Sequence, residues 1–466
     1  MAAIVTHKFR IHNAEQFYES FGETAASTYY LYIGRPQAFS SVTGGGTDSA
    51  PPTPNDSMSD EYDQWREMIA AKKITSSDIQ FVVPRRNWTS GTTYDIYRPD
   101  YSATNAANST ATNLFSATYY VMTSDYRVYK CMNNDGNTAS TTEPTDTSNT
   151  EAATADGYVW KYMYTLTSTQ TQNFLSTDFL PVTDTLGTVT GVSASTVSAA
   201  AVDGEIRQIA VTTAGSGYTN GSYTNVAIKG DGSSGVCTVV VAGGALSSAT
   251  VTTQGTGYTF ATIDVANISG IGGGSSGVLT PHVGPKGGHG KDALRELGAF
   301  YVMLNTSLSG SEGSGDFIID QDFRRVGLVR NPYNYGTTTV SSSSTLSALK
   351  NVTFAASPTP GTFVADEVIT GGSSGAKGKV AYWNAATRKL YYIQTQWTGL
   401  TTTKSMTAFS GSEVITGGTS SAQGTTSAVN NPELAYHSGD VMYIENRVPI
   451  TRASDQTENI KLVIEF

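Results

Sequence analysis

At 466 residues the chain is long enough for two to four domains of roughly 150 residues each, and a hydrophobic content of 38% suffices to build their cores. Charged residues are only 15%, below the roughly 25% usual for soluble domains, and 47 glycines with abundant Ser and Thr take their place. A net charge of −10 with no basic cluster larger than the pair Arg85-Arg86 argues against a duplex-binding face, and no run of about eighteen apolar residues is there to span a membrane.

The start, MAAIVTHKFRIHNAEQF, has no apolar signal-peptide core, so synthesis in a cytoplasm is expected. Residues 4–11 read as a strand. Asn13, with Gln16 three residues on, reads as the cap of a helix that Gly22 ends, with Phe17 and Phe21 on its inner face. Residues 29–34 return as a strand and 40–56 form a Gly- and Pro-rich loop. A second helix is predicted over 60–73. Asp60, Glu61 and Asp63 at its start and Lys72 and Lys73 at its end oppose the macrodipole, and Tyr62, Trp65 and Ile69 make its apolar stripe. Residues 79–83 read as a strand closed by Pro84.

After a polar connector at 87–112, residues 118–132 read as a hairpin turning near Ser124-Asp125. In 157–166, Tyr158, Trp160, Tyr162 and Tyr164 alternate with Val159, Lys161 and Met163. Such a ladder reads as a sheet core or subunit contact before it reads as a sugar platform. Cys131 and Cys237, in strand-like contexts, read as small buried thiols with no disulfide.

Internal repetition follows. VTTAGSGYT at 211–219 recurs 40 residues later as VTTQGTGYT, and EVITGGSSGAKG at 367–378 recurs 46 residues later as EVITGGTSSAQG. Two copies are too few for a solenoid, so each pair reads as one small β-module inserted in a loop. Between the pairs, 291–297 reads as a helix and 301–304, 317–320 and 325–329 as strands.

Glycine runs imitate nucleotide motifs. GGGSSG at 272–277 is followed by Val-Leu-Thr-Pro and not by a helix, so a phosphate has no helix N-terminus to sit on. GPKGGHGKDAL at 284–294 comes closer, but Pro285 and Asp292 stand where a phosphate loop needs glycine and a magnesium-holding hydroxyl. A structured turn is the main reading and an anion or partner-backbone contact the lesser one. Five histidines, His7, His12, His282, His289 and His437, show no zinc spacing, and His437-Ser438 with Asp440 reads as turn chemistry. No metal, cofactor or catalytic set is read from the chain. Arg85-Arg86 before Trp88 is the most plausible recognition element, since guanidinium forks pair carboxylates and Trp anchors interfaces.

At the C-terminal end, 441–445 reads as a strand stopped by Asn446 and Pro449, the proline marking an edge or a turn. In 459–466, Ile460, Leu462, Ile464 and Phe466 alternate with Asn459, Lys461, Val463 and Glu465 as a half-buried strand.

Four blocks, AIVTHKFR at 3–10, VVPRRNW at 82–88, DGYVWKYMYTL at 156–166 and HSGDVMYIENRVPI with DQTENIKLVIEF at the end, together resemble the gene-eight baseplate wedge subunits of T-even-like contractile-tailed bacteriophages, in the family's order. The resemblance implies an α+β, mostly β fold of two helix-flanked β-sandwich domains, one inserted in the other, here with additional Gly/Ser-rich β-modules. The boundaries it suggests are a main domain at 1–84, an inserted β-rich domain at 85–200, a repeat module at 201–287, a return at 288–338, a second repeat insertion at 339–430 and closing strands at 431–466. It further implies a non-enzymatic homodimer in the virion tail baseplate, assembled in the host cytoplasm, bound to other wedge subunits and to no cofactor, nucleic acid or membrane. The expected interface residues in those blocks are Arg85, Arg86, Trp88, Tyr443, Glu445, Asn446 and Arg447. Tyr-rich strands and Ser/Thr/Gly modules leave a carbohydrate-binding adhesin or receptor-binding tail protein as the first rival. A polysaccharide hydrolase, which needs convergent carboxylates, is the second.

Overall fold

The computed structural model describes residues 4–23, 27–41, 46–189, 192–309, 317, 322–452 and 456–466. The chain divides into two compact units, one of Met1–Glu19, Gln80–Met303 and Val463–Phe466, the other of Ser20–Ile79 and Leu304–Leu462. Both are built mainly from antiparallel strands with a few short helices, so the expected mostly β, α+β class is what the chain adopts.

In the first unit the chain opens with a helix, His7–Glu19, and not with the strand expected at 4–11. The buried positions here are Ile11 and Ala14, one helical turn apart, which is the spacing of a helix and not of a strand. The two ends of the chain do meet, as helix against strand. The Phe17 and Phe466 rings are 5.3 Å apart, and Arg10 donates to the Phe466 carbonyl and pairs with Glu465. The C-terminal strand, Glu458–Glu465, belongs to a four-stranded sheet with Tyr301–Leu308, Ile79–Pro84 and Phe179–Pro181. Val82, Phe174 and Met303 form its core, with Val463 packed against them.

A second four-stranded sheet orders Tyr120–Met122, Arg127–Asn134, Tyr158–Thr165 and Glu151–Ala153, the first two being the expected hairpin with Tyr126 at φ 58 in its turn. Tyr158 stacks on Trp160, and both are buried with Tyr94, Tyr129 and Cys131. Lys161 and Met163 on the opposite side are buried as well, so this ladder is interior on both faces and offers no exposed ring platform at Tyr158 or Trp160. The two cysteines are free and buried, and burial pushes both thiols up, Cys237 to about 11.

The first repeat pair folds as one body around Ile206, Tyr218, Val239, Leu246 and Tyr258, with a three-stranded sheet of Gly221–Ala227, Ser233–Ala242 and Ala245–Thr256. Its copies interlock. The Tyr258 hydroxyl of the second copy accepts from Gly235 N (3.2 Å) and donates to Ile228 O (2.9 Å), while the Tyr218 hydroxyl of the first accepts from Gly277 N (2.9 Å). Glycine is required beneath each ring, because a Cβ at Gly277 would lie 2.5 Å from the Tyr218 hydroxyl. Gly277→Ala is therefore expected to cost about 1–3 kcal/mol by overpacking. Gly273→Ala, where a Cβ meets nothing within 4 Å, should stay within about 0.5 kcal/mol of the parent in urea unfolding.

The second unit holds a five-stranded antiparallel sheet in the order Thr345–Ser347, Met68–Ile74, Tyr29–Gly34, Asp322–Arg330, Asp440–Thr451. The helix expected over 60–73 is shorter, Met58–Glu67, capped by Ser57, whose hydroxyl accepts from Asp60 N. From Met68 the chain becomes a strand, since Met68, Ile69, Ala70 and Ala71 are all buried between two neighbouring strands, a two-sided burial that overrides helical propensity. The strand expected at 441–445 continues through Asn446 and Pro449 to Thr451, and it lies at the sheet edge, where a missing amide donor costs no ladder bond. Strand 325–329 appears within Asp322–Arg330, whereas the strand expected at 317–320 falls mostly outside the described residues.

The second repeat pair closes into a six-stranded barrel in the order Lys350–Phe354, Lys389–Ile393, Lys377–Asn384, Val368–Gly371, Val414–Gly417, Gln423–Asn430. Val352, Phe354, Ile369, Val380, Leu390 and Ile415 are in its core. The two EVITGG copies pair with each other, Ile369 opposite Gly417 and Gly371 opposite Ile415. Glu367 accepts from Thr419 N (3.0 Å), Ser420 N (2.9 Å) and Ser420 Oγ of the other copy. Glu413 returns the arrangement with Ser373 N (3.1 Å), Ser374 N (2.9 Å) and Ser374 Oγ.

Candidate interaction site

The expected interface residues fall into two groups. Arg85, Arg86 and Trp88 leave the strand Ile79–Pro84 and run beside Tyr120–Met122, with Met122 N donating to Arg86 O and Trp88 N to Met122 O. Arg85 is used within the fold, its Nε donating to Asn87 Oδ1 (2.9 Å) and its Nη1 to Ser176 O (2.7 Å). Trp88 is half-buried against the Tyr94–Trp160 core, its indole donating to Ser140 Oγ at 3.1 Å. Arg86 is different. Its Nη2 reaches the carbonyls of Phe115 and Ser116 and its guanidinium lies 4.5 Å over the Tyr120 ring, but Nη1 is buried with no hydrogen-bond partner.

Tyr443, Glu445, Asn446 and Arg447 lie on the edge strand of the five-stranded sheet. Asn446 accepts from Arg325 Nε (2.8 Å) and donates to Pro52 O (2.9 Å), so it serves the fold. Tyr443 donates to Glu445 Oε2, and burial together with that carboxylate pushes its phenol up to about 12. Glu445 and Arg447 pair loosely at 3.6 Å in partly exposed positions, and Met442 and Val448 on the same strand are about half exposed.

The glycine turn that imitates a phosphate loop is filled by the chain itself. Gly290 N and Asp292 N donate to Glu296 Oε1 at 2.9 and 3.1 Å, so a buried carboxylate occupies the place an anion would take. Glu296 also pairs with Lys130, both fully buried, and Lys130 Nζ lies 2.8 Å from His289 Nδ1. His289 N donates to Glu205, which pairs with Arg207. Sequence reading missed this network because its members are spread over 130–296; the only local signal is Glu296 four residues after Asp292. His437 and Ser438 do not form a hydrolytic pair, since Ser438 Oγ donates to Ala435 O and accepts from Tyr333 N while Asp440 pairs with Arg330. Among the described residues no group of three or more His, Cys, Asp and Glu side chains is placed to hold a metal ion.

Burial, then Lys130, holds the His289 imidazole well below its ordinary range, so it is neutral when folded. The unfolded chain protonates this residue below about pH 6.5 and the folded one does not, so stability must fall as pH drops through that value. The slope is up to about 1.4 kcal/mol per pH unit for one proton. Urea unfolding at pH 7.5 and 5.5 should show the loss, and His289→Gln should flatten it.

These features define a mostly β protein in which the buried Lys130–Glu296 pair serves the fold, while Arg86 keeps a buried donor without a partner. Residues 3–142 match the family described as Bacteriophage T4, Gp8. Part of the chain, 87 residues or 18% of it, is 37% identical to the baseplate wedge protein gp8 of Enterobacteria phage T4. Over the matched stretch the chain is similar to this gene-eight baseplate wedge family. The match spans 26% of that relative's length.

Proposed function

We propose that this chain is a structural subunit of a phage tail baseplate wedge, present in the virion as a homodimer assembled in the host cytoplasm. It holds neighbouring wedge proteins without catalysis and repacks against them when the tail contracts. The observation that carries the reading is the family match over residues 3–142, which includes Arg85, Arg86 and Trp88. Support also comes from apolar side chains left outside the core at Ile4, Val5 and Phe9, the sort of surface a neighbour covers. The contact residues of this reading are Arg85, Arg86, Trp88, Tyr443, Glu445, Asn446 and Arg447, and the repeat segments 201–287 and 339–430 are insertions on the shared fold. Sizing the purified chain alone and mixed with the remaining wedge proteins tests it. A dimer that joins a larger complex is expected, and a monomer that stays separate from every wedge protein overturns it.

One observation favours glycan binding as a second reading. A groove of about 670 Å³ in the first unit is lined by Arg207, Gln208, Thr250, Thr252 and Gln254, polar groups suited to hydroxyls. A glycan array with the whole chain decides between them, since a purely structural subunit binds no glycan.

A further inference from the structure

Next to the N-terminal helix a pocket of about 360 Å³ collects His7, Arg10, Arg86 and the aromatic side chains of Phe115, Phe300 and Tyr301. The two guanidiniums differ in how their charge is met. Arg10 lies 3.7 Å over the Phe300 ring, pairs with Glu465 and donates to the Phe466 carbonyl. Arg86 meets only two carbonyls and a ring, and among the described residues it has no carboxylate partner. Two buried polar atoms of the lining, Arg86 Nη1 and His7 Nδ1, have no hydrogen-bond partner. An unanswered half-buried cation is costly, and a carboxylate brought from outside would remove that cost with charge-assisted bonds.

We propose that this pocket receives the side chain of an acidic residue, Asp or Glu, presented by a neighbouring protein of the wedge. The proposal rests on the baseplate reading and names the chemistry of one contact in it. The guanidinium of Arg86 pairs with the carboxylate, and Phe115, Phe300 and Tyr301 pack along the methylene stem. Aromatic rings beside a guanidinium without a carboxylate partner suit an acidic side chain, whose methylenes can pack there, better than an inorganic anion, which has none.

The test uses the full chain and two probes, N-acetyl-glutamate α-amide and its neutral isostere N-acetyl-glutamine α-amide, titrated by ligand-observed NMR. The charged probe is expected to bind at least tenfold more tightly. Arg86→Met should abolish the difference, and Arg86→Lys, which keeps the charge but loses the fork, should reduce it severalfold. Equal binding of the two probes, or unchanged selectivity in either variant, overturns the pocket. Should Arg86→Met fail to fold by circular dichroism, Arg86→Lys carries the test. The partner arm is sizing with the wedge proteins. Loss of co-elution in a folded Arg86 variant supports the contact, and full co-elution overturns it while the wedge reading stands. A parent chain that joins no wedge protein removes the wedge reading and the partner with it, while the titration still judges the carboxylate pocket by itself.

Discussion

Lys130→Met is expected to destabilise the unit that carries it by about 3–5 kcal/mol, the usual cost of stripping one partner from a buried ion pair. Lys130 and Glu296 are both fully buried. Removing the ammonium leaves the Glu296 carboxylate facing only the amides of Gly290 and Asp292, while His289 Nδ1 and the Tyr97 ring, 4.2 Å from Lys130 Nζ, lose the cation they surround. A charge left in a low-dielectric interior with part of its compensation gone costs far more than the lost contact itself. Lys8→Met, on an exposed helix position, is the matched control and should change stability by less than about 0.5 kcal/mol. Urea unfolding of both variants decides the matter, and a loss below about 1 kcal/mol for Lys130→Met would mean that water reaches Glu296.

The second large effect is in the barrel. Glu413→Ala removes an acceptor shared by Ser373 N, Ser374 N, Ser374 Oγ and Ser410 N, the last at 2.6 Å, and should cost about 2–3 kcal/mol because several part-buried donors lose one charged acceptor together. Glu367→Ala should cost about as much, since its donors are the equivalent groups of the other copy with Val364 N in place of Ser410 N. Burial pushes each carboxyl up, but the hydrogen bonds from Ser374 and Ser410 to Glu413, and from Ser420 and Val364 to Glu367, outweigh it and leave both below the ordinary carboxylate value. A carboxylate held low when folded contributes its stability above about pH 4.5 and loses it as pH falls through the folded value. The gap between parent and variant should therefore be full at pH 7 and shrink in acid. Hydrogen exchange of the barrel amides should show it, and a gap that does not change with pH would assign the loss to packing.

What the sequence disclosed and what it hid follow one physical division. Residues 29–34, 79–83 and 157–166 were readable as strands because their side-chain pattern is local, and the hairpin at Ser124-Asp125 because turn chemistry is local too. The N-terminal strand and the long second helix were misread where tertiary burial chose the element. Val5 and Phe9 stay exposed while Ile11 and Ala14 are buried, and Met68–Ile74 carries helix-forming residues into the middle of a sheet. The interface stretch shows the same limit. Arg85, Arg86 and Trp88 could be singled out by type, but only coordinates separate Arg85, whose Nε and Nη1 both donate inside the fold, from Arg86, which keeps a donor unmatched. The repeats were visible as words, and their glutamates stood at matching places, but nothing in the words said that each glutamate answers the other copy's turn.

That cross-reference has a bearing on how such a segment can be gained or lost. A chain carrying only one EVITGG copy would hold a glutamate without the turn it serves and a turn without its glutamate, so neither half is a viable intermediate. Inheritance, grafting or deletion of this region should succeed only when both copies travel together, and a library of truncations ought to show soluble products clustering at zero copies or two.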